Sequence, residues 1–136
     1  MSGSASWQLQ QAVYGALAGN APLTALLGGL RIYDDVPHGA AYPFVTMGQT
    51  SSSDFGTGTE DGEEHILTLH VWSAAGGRGE AQILIGAIRD TLHNAALGLA
   101  GHVLVNLRQQ FSDIRREADG ITIHGLVRYR AVTQPL

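Results

Sequence analysis

The chain of 136 residues contains no cysteine. Disulfide frameworks, thiolate metal sites and cysteine nucleophiles are therefore excluded. It contains no lysine either; all eight basic residues are arginine. A Walker-type phosphate loop and Schiff-base chemistry both need a lysine amine, and both fall away. Charged residues make up only 15% of the chain, against about a quarter in an average soluble domain. Such a chain hides much of its surface, in a core or against partners. No apolar run approaches the roughly 20 residues of a membrane span, and the opening MSGSASWQLQQ lacks the pattern of a signal peptide. The net charge of −4 argues against nucleic-acid binding through overall charge.

The length suits one domain over 1–136, with 44% apolar residues to fill a core. Leu9, Val13 and Leu17, with Ala12 and Ala16, form the stripe of a helix over residues 5–18, which Gly19-Asn20 stops. Pro22 opens a short second helix with Leu23, Leu26 and Leu27 as its apolar face, and Gly28-Gly29 ends it. Residues 31–36 and 44–51 read as strands, separated by a loop with two prolines. Residues 64–72 alternate with apolar groups on both faces, the pattern of a central strand. Ser73-Ala74-Ala75-Gly76-Gly77-Arg78-Gly79 reads as a flexible lead into the strongest helix, where Ala81, Leu84, Ile85, Ile88 and Leu92 make a continuous stripe. Residues 102–111 predict a strand with Val103, Val105, Leu107 and Phe111 on one face, and residues 121–131 its hairpin partner across Ala118-Asp119-Gly120. The order α-α-β-β-β-α-β-β is that of an α+β domain: an antiparallel-rich β-sheet with a long helix packed on one face and short N-terminal helices.

Residues 50–64, TSSSDFGTGTEDGEE, read as a long hairpin tip projecting from the body. Its Asp54, Phe55, Glu60, Asp61, Glu63 and Glu64 are candidates for contact with a partner or a channel lumen. A ring of such acidic loops would repel phosphates and keep DNA from a channel wall. The charge is split along the chain: residues 1–64 sum to −6 and residues 65–136 to +2. Head-to-tail self-association would use that asymmetry; mixing of the charges in three dimensions is the plainer reading. Arg78, Arg115, Arg116, Arg128 and Arg130 are candidates for a subunit interface, because guanidinium forks bind carboxylates of a neighbour bidentately. A solvated sheet face explains the last four equally well.

Enzymatic signatures are missing. Asp54-Phe55-Gly56 spells the kinase triplet without a glycine-rich loop, lysine or catalytic loop. Ser51, Ser52 and Ser53 stand in no nucleophile elbow. His65 and His70 point to opposite faces of one strand, and His93 and His102 flank a helix end, with no metal-ligand spacing. No catalytic residue, cofactor or metal is expected.

Pieces spread along the chain resemble a known family, the tail terminator (tail completion) proteins of long-tailed phages and of the phage-like gene transfer agents of alphaproteobacteria. They are Leu23-Thr24-Ala25-Leu26-Leu27-Gly28-Gly29, Ile32-Tyr33-Asp34-Asp35-Val36-Pro37, Tyr42-Pro43-Phe44-Val45, and Thr59 to His65 running into Leu67-Thr68-Leu69-His70-Val71-Trp72-Ser73. Gly76-Gly77-Arg78-Gly79-Glu80-Ala81, Leu99-Ala100-Gly101-His102 and Asp119-Gly120 complete the set. The resemblance implies a structural virion protein forming a hexameric ring on the head-proximal end of the tail tube. That ring would end tube polymerisation and join the tail to the head-side connector, with DNA passing through the hole without sequence-specific contacts. It implies a place in the neck of a phage-like particle assembled in the bacterial cytoplasm, without a membrane. Two other functions stay open: a connector or stopper protein of the same particle and, from a different class, a small metal-dependent hydrolase.

Overall fold

A computed structural model describes residues 4–136. Helix α1 (Ala5–Ala18) begins where the Ser4 side chain accepts the Trp7 backbone N–H, and Ala5, Leu9, Val13 and Leu17 form its buried stripe. Helix α2 (Ala21–Leu27) is capped by Asn20, whose side chain accepts from the Leu23 N–H, and carries Pro22 in its first turn. Gly28 ends it at φ 82°, a left-handed conformation that glycine adopts without a Cβ clash. Strands β1 (Ile32–Tyr33), β2 (Phe44–Asp54) and β3 (Glu63–Ser73) follow, then α3 (Gly79–Leu92), β4 (His102–Arg116) and β5 (Ile123–Pro135).

The five strands form one sheet in the order β1-β2-β3-β5-β4. β1 runs parallel to β2 and every other pair is antiparallel, so the sheet is mixed. The domain is α+β as expected, but two details differ. Helices α1 and α3 each have 14 residues, so α3 is not the one long helix and only α2 is short. The strand expected over 31–36 shrinks to two residues, since the chain bends away at Asp34 and Asp35.

All three helices pack on one face of the sheet. Leu9, Val13, Leu17, Leu23 and Leu27 meet Ala81, Leu84, Ile85, Ile88 and Leu92 of α3 and the inward side chains of the strands. Those inward groups include Val45, Met47, Leu67, Leu69, Val71, Leu107, Ile123, Val127 and Tyr129. Each large aliphatic group moved from water into this layer contributes about 1.5–3 kcal/mol. Gly125 lets α3 lie close to the sheet: a Cβ there would stand 3.1 Å from Ile85 Cδ1.

Two strands change face along their length. In β4 the register slips between Leu104 and Asn106 and again between Gln109 and Phe111. These bulges undo the expected single face. Leu107 is buried, whereas Val103, Val105 and Phe111 are exposed. In β2 the register slips between Met47 and Thr50.

Candidate functional site

The loop expected over 50–64 is shorter and better anchored than the sequence suggests. Thr50 to Asp54 pair with Leu67 to Glu63 as hairpin strands, which leaves residues 55–62 at the tip. Phe55 N donates to Gly62 O and Thr57 N to Glu60 O, closing the tip on itself. The Asp54 side chain accepts from the Gly56 N–H. The tip also leans on β5: the Arg130 guanidinium lies 5.3 Å from the centre of the Phe55 ring, and Arg130 Nε donates to Glu64 Oε2 at 2.6 Å. Asp54, Phe55, Glu60, Asp61 and Glu63 are all exposed, and Glu64 is half-buried. Arg130 thus neutralises one of the five carboxylates there and leaves an acidic end on the sheet. A cleft of about 390 Å³ opens beside it, lined in part by Ser52, Asp54, Asp61, Glu63, His102 and Thr133.

The arginine candidates do not act as one free patch. Arg128 and Arg130 do share the face of β5 that looks away from the helices. Arg130 is spoken for by Glu64, and Arg128 lies 5.2 Å over the Phe111 ring. Arg115 pairs with Asp113 at 2.7 Å in an exposed contact, and Arg116 donates to Gly120 O. Arg78 stands apart, exposed at the start of α3. The glycine-rich lead there is tied down by Ser73, whose buried hydroxyl donates to Glu80 Oε1 and accepts from the Ala75 N–H.

The outer face of the sheet, which no helix covers, carries a row of rings. Tyr42, Phe44 and Trp72 follow one another at centroid distances of 5.1 and 6.3 Å, and Trp72 stacks on His124 at 4.0 Å with an interplanar angle of 5°. His70 Nδ1 and His124 Nε2 share a hydrogen bond of 2.7 Å, and His124 Nδ1 meets Glu117 Oε1 at 2.8 Å. Burial, and then the neighbouring His124, hold His70 below the ordinary histidine range. On the opposite face of the same strand His65 is fully buried, with Nε2 on the Thr133 hydroxyl at 2.8 Å. Burial pushes its pKa down, Glu63 partly offsets this, and His102 adds to the lowering. The opposite faces expected for His65 and His70 are observed. The His70–His124 pair depends on cross-strand register, and no local motif signals it.

His93 ends α3 and its Nδ1 accepts the backbone N–H of Gln109, while Asn94 N donates to Leu107 O. These two bonds cover the middle of edge strand β4. Among the described residues, no group of three or more His, Asp or Glu side chains is arranged to hold a metal ion. No helix among them is long and apolar enough to cross a membrane.

The comparisons with known proteins agree with a structural role. The chain is 28% identical over 126 residues to the tail completion protein gp17 of Bacillus phage SPP1, covering 93% of this chain and 92% of that protein. The solved structure of SPP1 gp17 superposes with a TM-score of 0.64 at 26% identity, over 93% of this chain and 89% of that one. A chain in the virion of a native gene transfer agent particle superposes with a TM-score of 0.88 at 30% identity, over 97% of this chain and 99% of that one. The family model for tail completion protein gp17 matches residues 11–134, from the middle of α1 to the end of β5. A match that takes in the helical layer, the mixed sheet and the acidic hairpin tip together makes this chain a member of the tail completion protein gp17 family, a family of structural proteins and not of enzymes.

Proposed function

We propose that this chain assembles as a hexameric ring on the head-proximal end of a tail tube, within a phage or gene transfer agent particle. The ring ends tube polymerisation, presents a surface to the head-side connector, and lets DNA pass through its centre. One observation carries the reading: this chain and the chain of the gene transfer agent virion superpose over nearly their whole lengths. A fold shared over 97% of this chain and 99% of that one supports the same use in a particle of the same kind. The acidic hairpin tip fits this use. Four carboxylates, Asp54, Glu60, Asp61 and Glu63, have no arginine partner among the described residues. Facing a lumen, they would repel DNA phosphates and keep the passage non-adhesive.

The test is deletion of the gene in its own particle, followed by electron microscopy of the tails and of the neck. Loss of a terminator gives tails of abnormal length. Normal-length, unattached tails beside leaking heads would instead assign the chain to a connector or stopper position. A traced neck in which this chain forms no six-fold ring would overturn the proposal.

A further inference from the structure

The uncovered face of the sheet brings two ring nitrogens together with only a shared hydrogen between them. His70 Nδ1 and His124 Nε2 stand 2.7 Å apart on the neighbouring strands β3 and β5. Glu117 decides which nitrogen of His124 is free. An ionised carboxylate only accepts, so the hydrogen of a neutral His124 ring sits on Nδ1, 2.8 Å from Glu117 Oε1. The lone pair is then on Nε2 and faces His70. A carboxylate behind a histidine in this way fixes the tautomer and ring direction of metal-ligating histidines. Trp72 holds the same ring from the side, stacked at 4.0 Å. Trp72 is itself fixed, because its Nε1–H donates to the Thr46 hydroxyl. His124 is thus set in place before any ligand arrives.

His70 supplies the second nitrogen. Burial, and then His124, hold it below the ordinary histidine range, so the ring is neutral near neutral pH. In the neutral pair its Nδ1 carries the shared hydrogen. An ion entering between the rings takes the place of that hydrogen, which passes through water to His70 Nε2, and no proton is gained or lost. His70 Nε2 faces the space over Gly48, which the Thr68 carbonyl oxygen also borders. Two nitrogens on one tetrahedral zinc ion stand about 3.3 Å apart, from Zn–N bonds of about 2.0–2.1 Å, so the present 2.7 Å must widen by about 0.6 Å. His70, which has no carboxylate partner among the described residues, makes that shift. The surrounding charges suit a cation. Glu117 lies behind His124, and Arg115, opposite His124 in the ladder, is held by Asp113 at 2.7 Å. Two nitrogens do not close a zinc site, and no helix covers this face, so water fills the remaining positions.

We propose that His70 Nδ1 and His124 Nε2 form a site for a divalent first-row transition ion, with zinc as its probe, and that Glu117 is the residue that positions His124 for it. Neutral imidazoles suit zinc, nickel and copper, whereas magnesium and calcium want oxygen ligands. The ion ties β3 to β5 and, through Glu117, to the turn that follows β4. The site belongs to a single chain and does not depend on the ring reading above.

Calorimetric titration of the full chain with zinc chloride near neutral pH tests the site. The wild type is expected to bind, and His70→Gln and His124→Gln are each expected to lose that binding. Glu117→Gln keeps both ligands and is expected to weaken it by about 10–100-fold. His38→Gln, in an exposed turn, is expected to bind as the wild type does. Far-UV circular dichroism checks that each variant keeps its fold. Nitrogen NMR of the imidazoles in the wild type reads the site without any substitution. Zinc is expected to shift His70 Nδ1 and His124 Nε2 and to leave His38 unmoved. A wild type that neither binds nor shifts at millimolar zinc, or binding that survives both histidine substitutions, would overturn the site. Unchanged affinity in Glu117→Gln would overturn the positioning role of Glu117.

Discussion

His70 Nδ1 lies 2.7 Å from His124 Nε2 across β3 and β5, and the second ring nitrogen of His124 lies 2.8 Å from Glu117 Oε1. The pair is diagonal in the ladder, since Trp72 is the residue opposite His124. Its geometry is thus a product of register, stacking and the turn that carries Glu117.

Acid should destabilise the domain in a specific window. His65 and His70 both titrate below the ordinary value of 6.5 in the folded state. Between their folded pKa values and 6.5 the unfolded chain binds more protons than the folded one. Stability is therefore full above about pH 7 and falls as pH drops through 6.5, by at most about 1.4 kcal/mol per pH unit for each group. Thermal melting from pH 8 to pH 5 should show the midpoint dropping, and His70→Gln should reduce the drop. A midpoint that rises on acidification would contradict the burial argument.

Gly48→Ala and Gly86→Ala should move stability in opposite directions. A Cβ on Gly48 would stand 2.6 Å from His70 Nε2 and 2.7 Å from the Thr68 carbonyl oxygen, and the carbonyl cannot step aside. We expect a loss of about 1–3 kcal/mol in urea unfolding. Gly86 sits exposed on α3 with open space around it. Alanine there should raise stability by about 0.5–1 kcal/mol through helix propensity.

Phe55→Ala should loosen the hairpin tip without unfolding the domain. It removes the ring under Arg130, a contact of about 0.5–1 kcal/mol at an exposed position. Hydrogen exchange should speed up at the amides of Phe55 and Thr57, which close the tip. The melting temperature should change little. Unchanged exchange at those amides would show that the backbone bonds alone hold the tip.

Ile88→Ala should cost about 2–5 kcal/mol, because the residue is fully buried at the centre of the α3 stripe and the vacated space cannot collapse onto a sheet. Denaturant unfolding measures it. A loss under 1 kcal/mol would mean that α3 is not the main cover of the sheet.

Particular elements show where local pattern sufficed. Leu9, Val13 and Leu17 on α1, and Ala81 through Leu92 on α3, fall inside because helical spacing puts them on one stripe. The alternation of β3 made it a central strand, and it lies third of five. The polar run Thr50-Ser51-Ser52-Ser53 reads as loop because it has little apolar content, yet its backbone pairs with β3 regardless of side-chain polarity. The two bulges of β4 turned Val103, Val105 and Phe111 away from Leu107, and nothing in their alternation announced the slips.

By itself the sequence determined the element order, the core stripes, the missing lysine and cysteine chemistry, and the family resemblance. These depend on spacing along the chain and on which side chains exist at all. Only the tertiary structure decided that Arg130 belongs to Glu64 and Phe55 and that His70 meets His124. Those relationships join residues dozens of positions apart through strand register, and a shift of one residue would have dealt every side chain to the other face.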